Sequence, residues 1–416
     1  MIVDSIILRD ICVKNNFVEY KFEATGEAAK YFKNNILFCE YNKDISDVPK
    51  SILSIPFIGS FIALSWLENF SFWVDEIDRT YYDAIRNLKI AYQEMYQECP
   101  LRGRLIASKI IDNQIERSSN KILLFGGGVD AHTSFVRHIN EISHIINIQG
   151  WFKSLQSEDR AADADFSHCI NVTKQNNKEF LYVRSNFAQV VNAQLINKEF
   201  GSLLHDQWWH GLQHSMAFIS ITIPIAYKFG ISDLIIASSY TVGDNKSCAS
   251  FVTTDSEFKF AKNGNVLHDA FELSRQDKTH VLVEYQKKIN KDYPIKVCSF
   301  NDKNCCECEK CFRTVLAIVA EGGDPEKFDF HMSESLKNHW SNVVEKRLAL
   351  WGIEKEFKYW ISTSTETMRL NYENLPNHEF IDWFLNYDFV KNKKRLLRKY
   401  YKDNFFSILR RKLFHK

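Results

Sequence analysis

The sequence predicts an α/β protein built on a doubly wound parallel sheet of five strands, and three observations predict it. From Lys121 onward, short apolar runs recur that suit strands buried on both faces. Helix-compatible segments fall between several of them. The first of these runs ends in three consecutive glycines, as expected where a parallel strand turns into a helix.

The bulk properties agree. Of 416 residues, 45% are hydrophobic and 25% charged, which excludes disordered and fibrous classes and leaves room for two or three domains. The net charge of +1 hides an asymmetry, because residues 391–416 hold eleven Lys/Arg against one acid and the remainder is mildly acidic. No basic head with an apolar core opens the chain. The longest apolar stretch, residues 51–66, is interrupted by Pro56 and Gly59 and reads as buried core rather than a membrane span. The expectation is a cytoplasmic protein with no transmembrane segment, in which clustered thiols favour metal over disulfides.

Taken in order, residues 6–13 and 17–22 flank Lys14-Asn15-Asn16 as a hairpin, and residues 35–41 add a third strand. Residues 75–97 carry Ile77, Tyr81, Ile85, Leu88 and Tyr92 near helical spacing. Together these predict an N-terminal α+β unit over residues 1–118. The five strands of the sheet are placed at 121–125, 144–148, 180–184, 233–238 and 294–298, with helices at 130–142, 209–229 and 277–289, in a nucleotide-binding domain over 119–326. Residues 327–416 read as a helical C-terminal region with a basic tail, anchored by Trp340, Val343, Leu348, Trp351, Trp360 and Trp383.

The loop Phe125-Gly126-Gly127-Gly128-Val129-Asp130 leaves a strand and enters a helix. Glycines there let backbone amides approach a phosphate, and the helix start adds a favourable field. Asp130 suits a Mg²⁺ ion bridging it to the phosphates. A plain tight turn capped by Asp130 uses the same residues. The loop is neither a Walker A sequence nor a dinucleotide fingerprint.

Half of the ten cysteines fall in fourteen residues, as Cys298-x6-Cys305-x2-Cys308-x2-Cys311 with Cys306 in addition. That spacing predicts a tetrahedral Zn²⁺ site, structural because four thiolates leave no open position.

The two motifs together resemble the adenine-nucleotide alpha-hydrolase superfamily, whose pyrophosphate loop reads Ser-Gly-Gly-x-Asp-Ser. Gly127, Gly128 and Asp130 match it, while Gly126 and Ala131 replace its serines, with Thr133 or Ser134 as substitutes. The late segment Cys305-Cys306-Glu307-Cys308-Glu309-Lys310-Cys311-Phe312-Arg313, followed by Gly322-Gly323-Asp324-Pro325, is similar to the zinc segments of 7-cyano-7-deazaguanine synthases. It is more similar still to an ATP-dependent epimerase of UDP-muramoyl dipeptide and to relatives encoded in surface-polysaccharide loci, with Cys306 where glycine is usual. The likeness spans roughly residues 120–326 and implies a sheet of the pyrophosphate-loop type.

What the resemblance implies is an enzyme that binds ATP on Phe125, Gly126, Gly127, Gly128, Asp130, Ser238 and Ser274 and adenylates a substrate carboxylate. Asp130, Arg275 and Lys278 would be its catalytic residues. The substrate would be a cell-envelope or surface-polysaccharide precursor. Two alternatives stand beside it: deazaguanine-synthase-like modification of a nucleobase or protein in phage defence, and a nucleotide-binding module without catalysis. Ser274 also reads as a helix cap, with Arg275 and Lys278 one turn apart.

Candidate substrate contacts are Arg184 and Asn186 after one strand, His210 at a helix start and Asp255 in a loop, each with an ordinary structural alternative. The tail, with Leu396, Leu397, Tyr400, Phe405, Phe406, Ile408 and Leu409 among its cations, reads as a docked helix or a peripheral membrane contact. No nucleic-acid partner is expected.

Overall fold

The computed structural model describes residues 4–151, 160–244 and 246–404. The chain divides into two compact units, Met1–Glu272 and Leu273–Lys416.

The first unit is organised by one mixed sheet of eleven strands among the described residues. They are β1 (Ser5–Lys14), β2 (Phe17–Thr25), β3 (Ile36–Tyr41), β4 (Ser71–Asp78), β5 (Arg104–Ile111), β6 (Lys121–Leu124), β7 (Ile142–Gln149), β8 (Glu179–Ser185), β9 (Asp233–Ala237), β10 (Lys259–Phe260) and β11 (Gly264–Asp269). Their order across the sheet is β10-β11-β9-β6-β7-β8-β3-β2-β1-β4-β5.

This overturns the expected five-stranded sheet of the pyrophosphate-loop type. The N-terminal strands do not form a sheet of their own, because β3 pairs antiparallel with β8, Cys39 opposite Ser185 and Tyr41 opposite Val183. The Asn186 side chain extends that seam, accepting from the Phe38 amide at 2.8 Å and donating to the Ile36 carbonyl at 3.0 Å. Two expected elements also change. Residues 75–78 end strand β4, and the helix begins at Arg79, where buried Asp78 caps it by accepting from the Tyr81 amide. Residues 294–298 are not a strand: the Val297 and Cys298 amides donate to the Asn304 side chain instead of to a neighbouring strand. The edge of the parallel run is β11, whose Asn265, His268 and Asp269 conceal it from an apolar pattern.

β6, β7, β8, β9 and β11 all run parallel. The chain winds from β6 outward through β7 to β8, then returns to the other side of β6 with β9 and β11. Between β6 and β9 the winding reverses, and at such a reversal the connections diverge and leave a crevice at the carboxyl ends of the strands.

Among the described residues one helical stretch, Lys50–Glu68, is long and apolar enough to cross a membrane, but 89% of its most apolar 18-residue window is buried inside the protein. Its apolarity serves contact with the helix His214–Lys228. A Cβ on Gly59 would stand 2.8 Å from the Met216 carbonyl, so only glycine permits that approach.

The second unit is helical. The helix Glu309–Ala320 carries Phe312, whose ring meets Trp340, Trp351, Trp360, Phe380, Trp383, Phe384 and Phe389 at centroid separations of 5.2–6.4 Å. The basic tail begins as the helix Phe389–Asp403, which buries Phe389 and Leu396. Lys393 donates to the Trp351 carbonyl at 2.7 Å and Arg395 pairs with Glu345 at 2.8 Å, so this helix is docked on the second unit. Phe405, Phe406, Ile408 and Leu409 lie outside the described residues.

Candidate functional site

The glycine loop leaves β6 at the winding reversal. The Phe125 amide still bonds to Ile146 in β7, so the strand is held to its last residue. Gly127 then takes φ +79°, a left-handed conformation that favours glycine. Gly128 caps the helix Val129–Arg137 from an extended conformation and supplies no side-chain cap hydrogen bond to its first turn. A Cβ at Gly126 or at Gly128 would meet nothing within 4 Å. These two glycines are therefore not explained by internal crowding.

Phe125 itself points inward. Its ring packs on His132 at 4.8 Å and stacks with His168 at 6.4 Å. The two imidazoles share a 2.9 Å hydrogen bond between their Nε2 atoms, and burial, reinforced by His168, keeps His132 neutral well below its ordinary range. Thr133 and Ser134 are buried, and Thr133 Oγ1 donates to the Val129 carbonyl within its own helix. Asp130 lies in the first turn of the helix and is half-buried.

Ser238 follows β9 across the reversal. Its amide bonds to the Asp269 carbonyl, and its hydroxyl donates to the Tyr240 carbonyl at 2.7 Å, so it shapes the turn that carries Tyr240. Asp269 ends β11, and its Oδ1 accepts from Arg137 at 3.2 Å and from His138 at 3.0 Å. Burial works to raise this carboxyl, but His138, Ser134 and Arg137 outweigh it and hold it at about 2.

Two carboxylate-held imidazoles occupy the same rim. His210 lies in a π-helical turn, Trp209–Gln213, where the widened ladder releases its carbonyl to accept the Ala249 amide at 2.9 Å. Its Nδ1 donates to Asp206 at 2.6 Å, which leaves Nε2 facing the Tyr240 hydroxyl at 3.1 Å and the Cys248 thiol at 3.7 Å. Burial pushes that thiol up to about 12. The second centre is deeper. Fully buried Asp255 accepts from Ser215 at 2.5 Å, from Ser250 at 2.6 Å and from His268 Nδ1 at 2.8 Å. His268 Nε2 is buried and finds no hydrogen-bond partner among the described residues.

Arg184 and Asn186 stand apart from this rim. Arg184 pairs across the β3–β8 seam with Glu40 at 3.2 Å, and its guanidinium lies over the Tyr182 ring. Ser274, Arg275 and Lys278 belong to the second unit. There Ser274 caps the helix Arg275–Ile289 in a reciprocal box with Asp277, Arg275 and Arg313 both lie over the Tyr359 ring, and Lys278 is buried.

The cysteine segment is also in the second unit. Cys298, Cys305, Cys308 and Cys311 place their sulfurs within 4.8 Å of one another. Cys308 and Cys305 lie 3.5 and 3.9 Å from Cys311. Tetrahedral Zn–S bonds near 2.3 Å imply sulfurs about 3.8 Å apart, so the four thiols could hold a metal such as zinc. Cys308 caps the helix Glu309–Ala320, which brings its positive end to the sulfurs. The sulfurs hydrogen-bond one another, which pulls the Cys305 thiol strongly down and pushes the Cys311 thiol up. Cys306 stands where the resemblance expects glycine and adopts φ +50°, the backbone reason for that expectation. Asn304 ties the segment together, bonding the Val297 and Cys298 amides and the Ile295 carbonyl.

No protein-family model matches this chain, and no curated protein matches it. Function is therefore argued from the sites themselves. Asp206, Ser215, Cys248, Ser250 and His268 escaped sequence reasoning because their partners come from separate elements: Ser215 lies 40 residues from Asp255 and Cys248 lies 38 from His210, and the near pairs Asp206–His210 and Ser250–Asp255 match no motif. The available signal was position, since His268 and Ser238 sit at the carboxyl ends of parallel strands.

Proposed function

We propose that the first unit binds the phosphates of ATP on the loop Gly126–Gly128 and uses ATP to activate a substrate carboxylate. The observation that carries this reading is the loop's place and openness. It lies at the carboxyl end of a parallel strand where the winding reverses, and its outer glycines face open space at a helix start. The donor set fits a nucleotide triphosphate: the amides of Gly128, Val129 and Asp130 lie in the cap and first turn of an uninterrupted nine-residue helix. The Asp130 carboxylate fits a Mg²⁺ ion accompanying the phosphates, because an oxygen ligand and phosphate oxygens share the coordination such an ion prefers.

ATP supplies an electrophilic α-phosphorus and a pyrophosphate leaving group. A carboxylate oxygen attacks that phosphorus, the bond to the bridging oxygen breaks, and pyrophosphate departs. The chain's contribution is to hold the phosphates in line and to offset the charge that builds on the leaving group, through oriented amides that need no reorganisation. We take the carboxylate to belong to a cell-envelope or surface-polysaccharide precursor on the resemblance of the two motifs alone. In the second unit, the four cysteines are proposed to hold one structural Zn²⁺ that fixes the start of the helix Glu309–Ala320.

The test is exchange of labelled pyrophosphate into ATP by the full chain, with amino-acid, uronic-acid and peptide carboxylates offered in turn. Exchange stimulated by one class supports the reading. Background exchange with all of them, in protein that binds Mg·ATP in a calorimeter, replaces it with a nucleotide-binding module that does no chemistry.

A further inference from the structure

His268 is the feature of the first unit that the reading above leaves unused. Its side chain is 2% exposed, and the carboxylate that holds it is fully buried. Ser215 and Ser250 complete the hydrogen bonding of Asp255, so that carboxylate has no freedom to serve a substrate directly. What it does is fix one tautomer. Nδ1 of His268 donates to Asp255, and Nε2 is left as a bare acceptor. A buried acceptor without a donor costs about 1–3 kcal/mol, so the arrangement makes sense if the donor arrives with a ligand.

The register gives its position. His268 pairs with Ile236, and Ile235 pairs with Leu123, so His268 stands at the height of Leu124, where β6 ends and the glycine loop departs. It is two strands from β6, about 10 Å across the sheet. Successive side chains alternate between faces. Asp269 meets Arg137 and His138 of the helix that follows the loop, and His268 meets Asp255 from the opposite face. A ligand lying along the rim from the glycine loop over β9 would reach this imidazole with its far end.

We propose that His268, oriented by Asp255, is the general base for the second half of the reaction. It would take the proton from an amine or hydroxyl that attacks the activated carboxyl. In that step the nucleophile's lone pair forms the new bond to the acyl carbon, the acyl–oxygen bond to the adenylate breaks, AMP leaves with the bonding pair, and the nucleophile's proton goes to Nε2. This inference rests on the adenylation reading, and its test separates the two.

The first measurement needs no substrate. Diethylpyrocarbonate modifies unprotonated imidazole nitrogens, and peptide mass mapping of the native wild-type chain reads each histidine. His268 is expected to be modified within about tenfold of the rate at His205, whose side chain is 76% exposed, because a base that serves an incoming nucleophile must be reached by small molecules even though it is buried in the resting fold. A His268 still unmodified when His205 is fully modified would overturn the proposal. The second measurement is AMP release with ammonium as acceptor and the carboxylate that stimulates exchange. His268→Gln is expected to lower it by about 10²–10⁴-fold, and Asp255→Asn to lower it and shift its pH profile. Wild-type release in His268→Gln sinks the inference and leaves the adenylation reading standing. If the wild type shows no exchange with any carboxylate, that reading and the half-reaction built on it both fail, whatever the mapping gives.

Discussion

The glycine loop and the cysteine segment are held in place by opposite means. The loop owes its shape to backbone: a strand hydrogen-bonded to its end, one left-handed glycine and a helix start, with little side chain above it. The cysteine segment owes its shape to side chains, four sulfurs and the Asn304 amide, with Phe312 driven into a box of aromatic rings directly behind Cys311. The difference teaches what each can be for. A site built of bare amides leaves room for a ligand, whereas a closed shell of four thiols leaves none and can only support what surrounds it.

The largest effect that could break this contrast is loss of the metal shell. Cys311→Ser, or stripping metal with a chelator, is expected to remove several kcal/mol and abolish cooperative melting of the second unit, as structural zinc supplies folding energy outright. Calorimetry and metal analysis of freshly purified protein check this. A metal-free protein with an unchanged transition would show that the aromatic core alone holds the unit. Phe312→Ala should cost about 3–5 kcal/mol in the same unit.

Acid should strike the two regions differently. His132, His144 and His214 all lie in the first unit and are lowered by burial, His214 to about 4. Each is neutral when folded, whereas the unfolded chain takes up a proton below about pH 6.5. Stability is therefore full above that pH and falls as pH drops from about 6.5 towards 4, by up to about 3 kcal/mol for His214. His138 opposes this, since Asp269 raises it and its contribution is present at low pH and lost as pH rises. The Asp269 contribution is lost only as pH falls from 3.8 towards 2. Urea titrations at pH 7.5 and 5 should show the first unit weakened at the lower pH.

Within the loop the contrast becomes sharper and smaller. Gly127→Ala must enter the left-handed region and should cost about 1–2 kcal/mol. Gly128→Ala needs no such conformation and loses only the N-cap preference of glycine over alanine, so it should cost no more than about 1 kcal/mol. The smallest effect belongs to the exposed Arg9–Glu23 pair, whose removal should cost under about 1 kcal/mol.

The parts legible in the sequence were those whose cause is local. The cysteine spacing, the strands over Lys121–Leu124 and Asp233–Ala237, each expected one residue longer, and the Ser274 cap all depend on residues within one strand, turn or loop. The breadth of the sheet was not legible, because the β3–β8 seam joins residues about 145 apart through backbone bonds that any sequence can make. β11 was hidden by its polar residues, and those residues are what the sequence could not place: His268 meets Asp255 only once the two segments are packed together. The apolar segment 294–298 misled for the converse reason, since its amides are satisfied by one side chain, Asn304.

The central claim is that the outer glycines are open because a nucleotide's phosphates lie against them. Calorimetric titration of Mg·ATP into the wild type and into Gly128→Ala, each with its melting temperature, tests it directly. The account predicts saturable binding to the wild type and at least a tenfold loss in Gly128→Ala, with a melting temperature lowered by no more than a few degrees. Equal affinity in the two proteins, or no binding to the wild type, would contradict it.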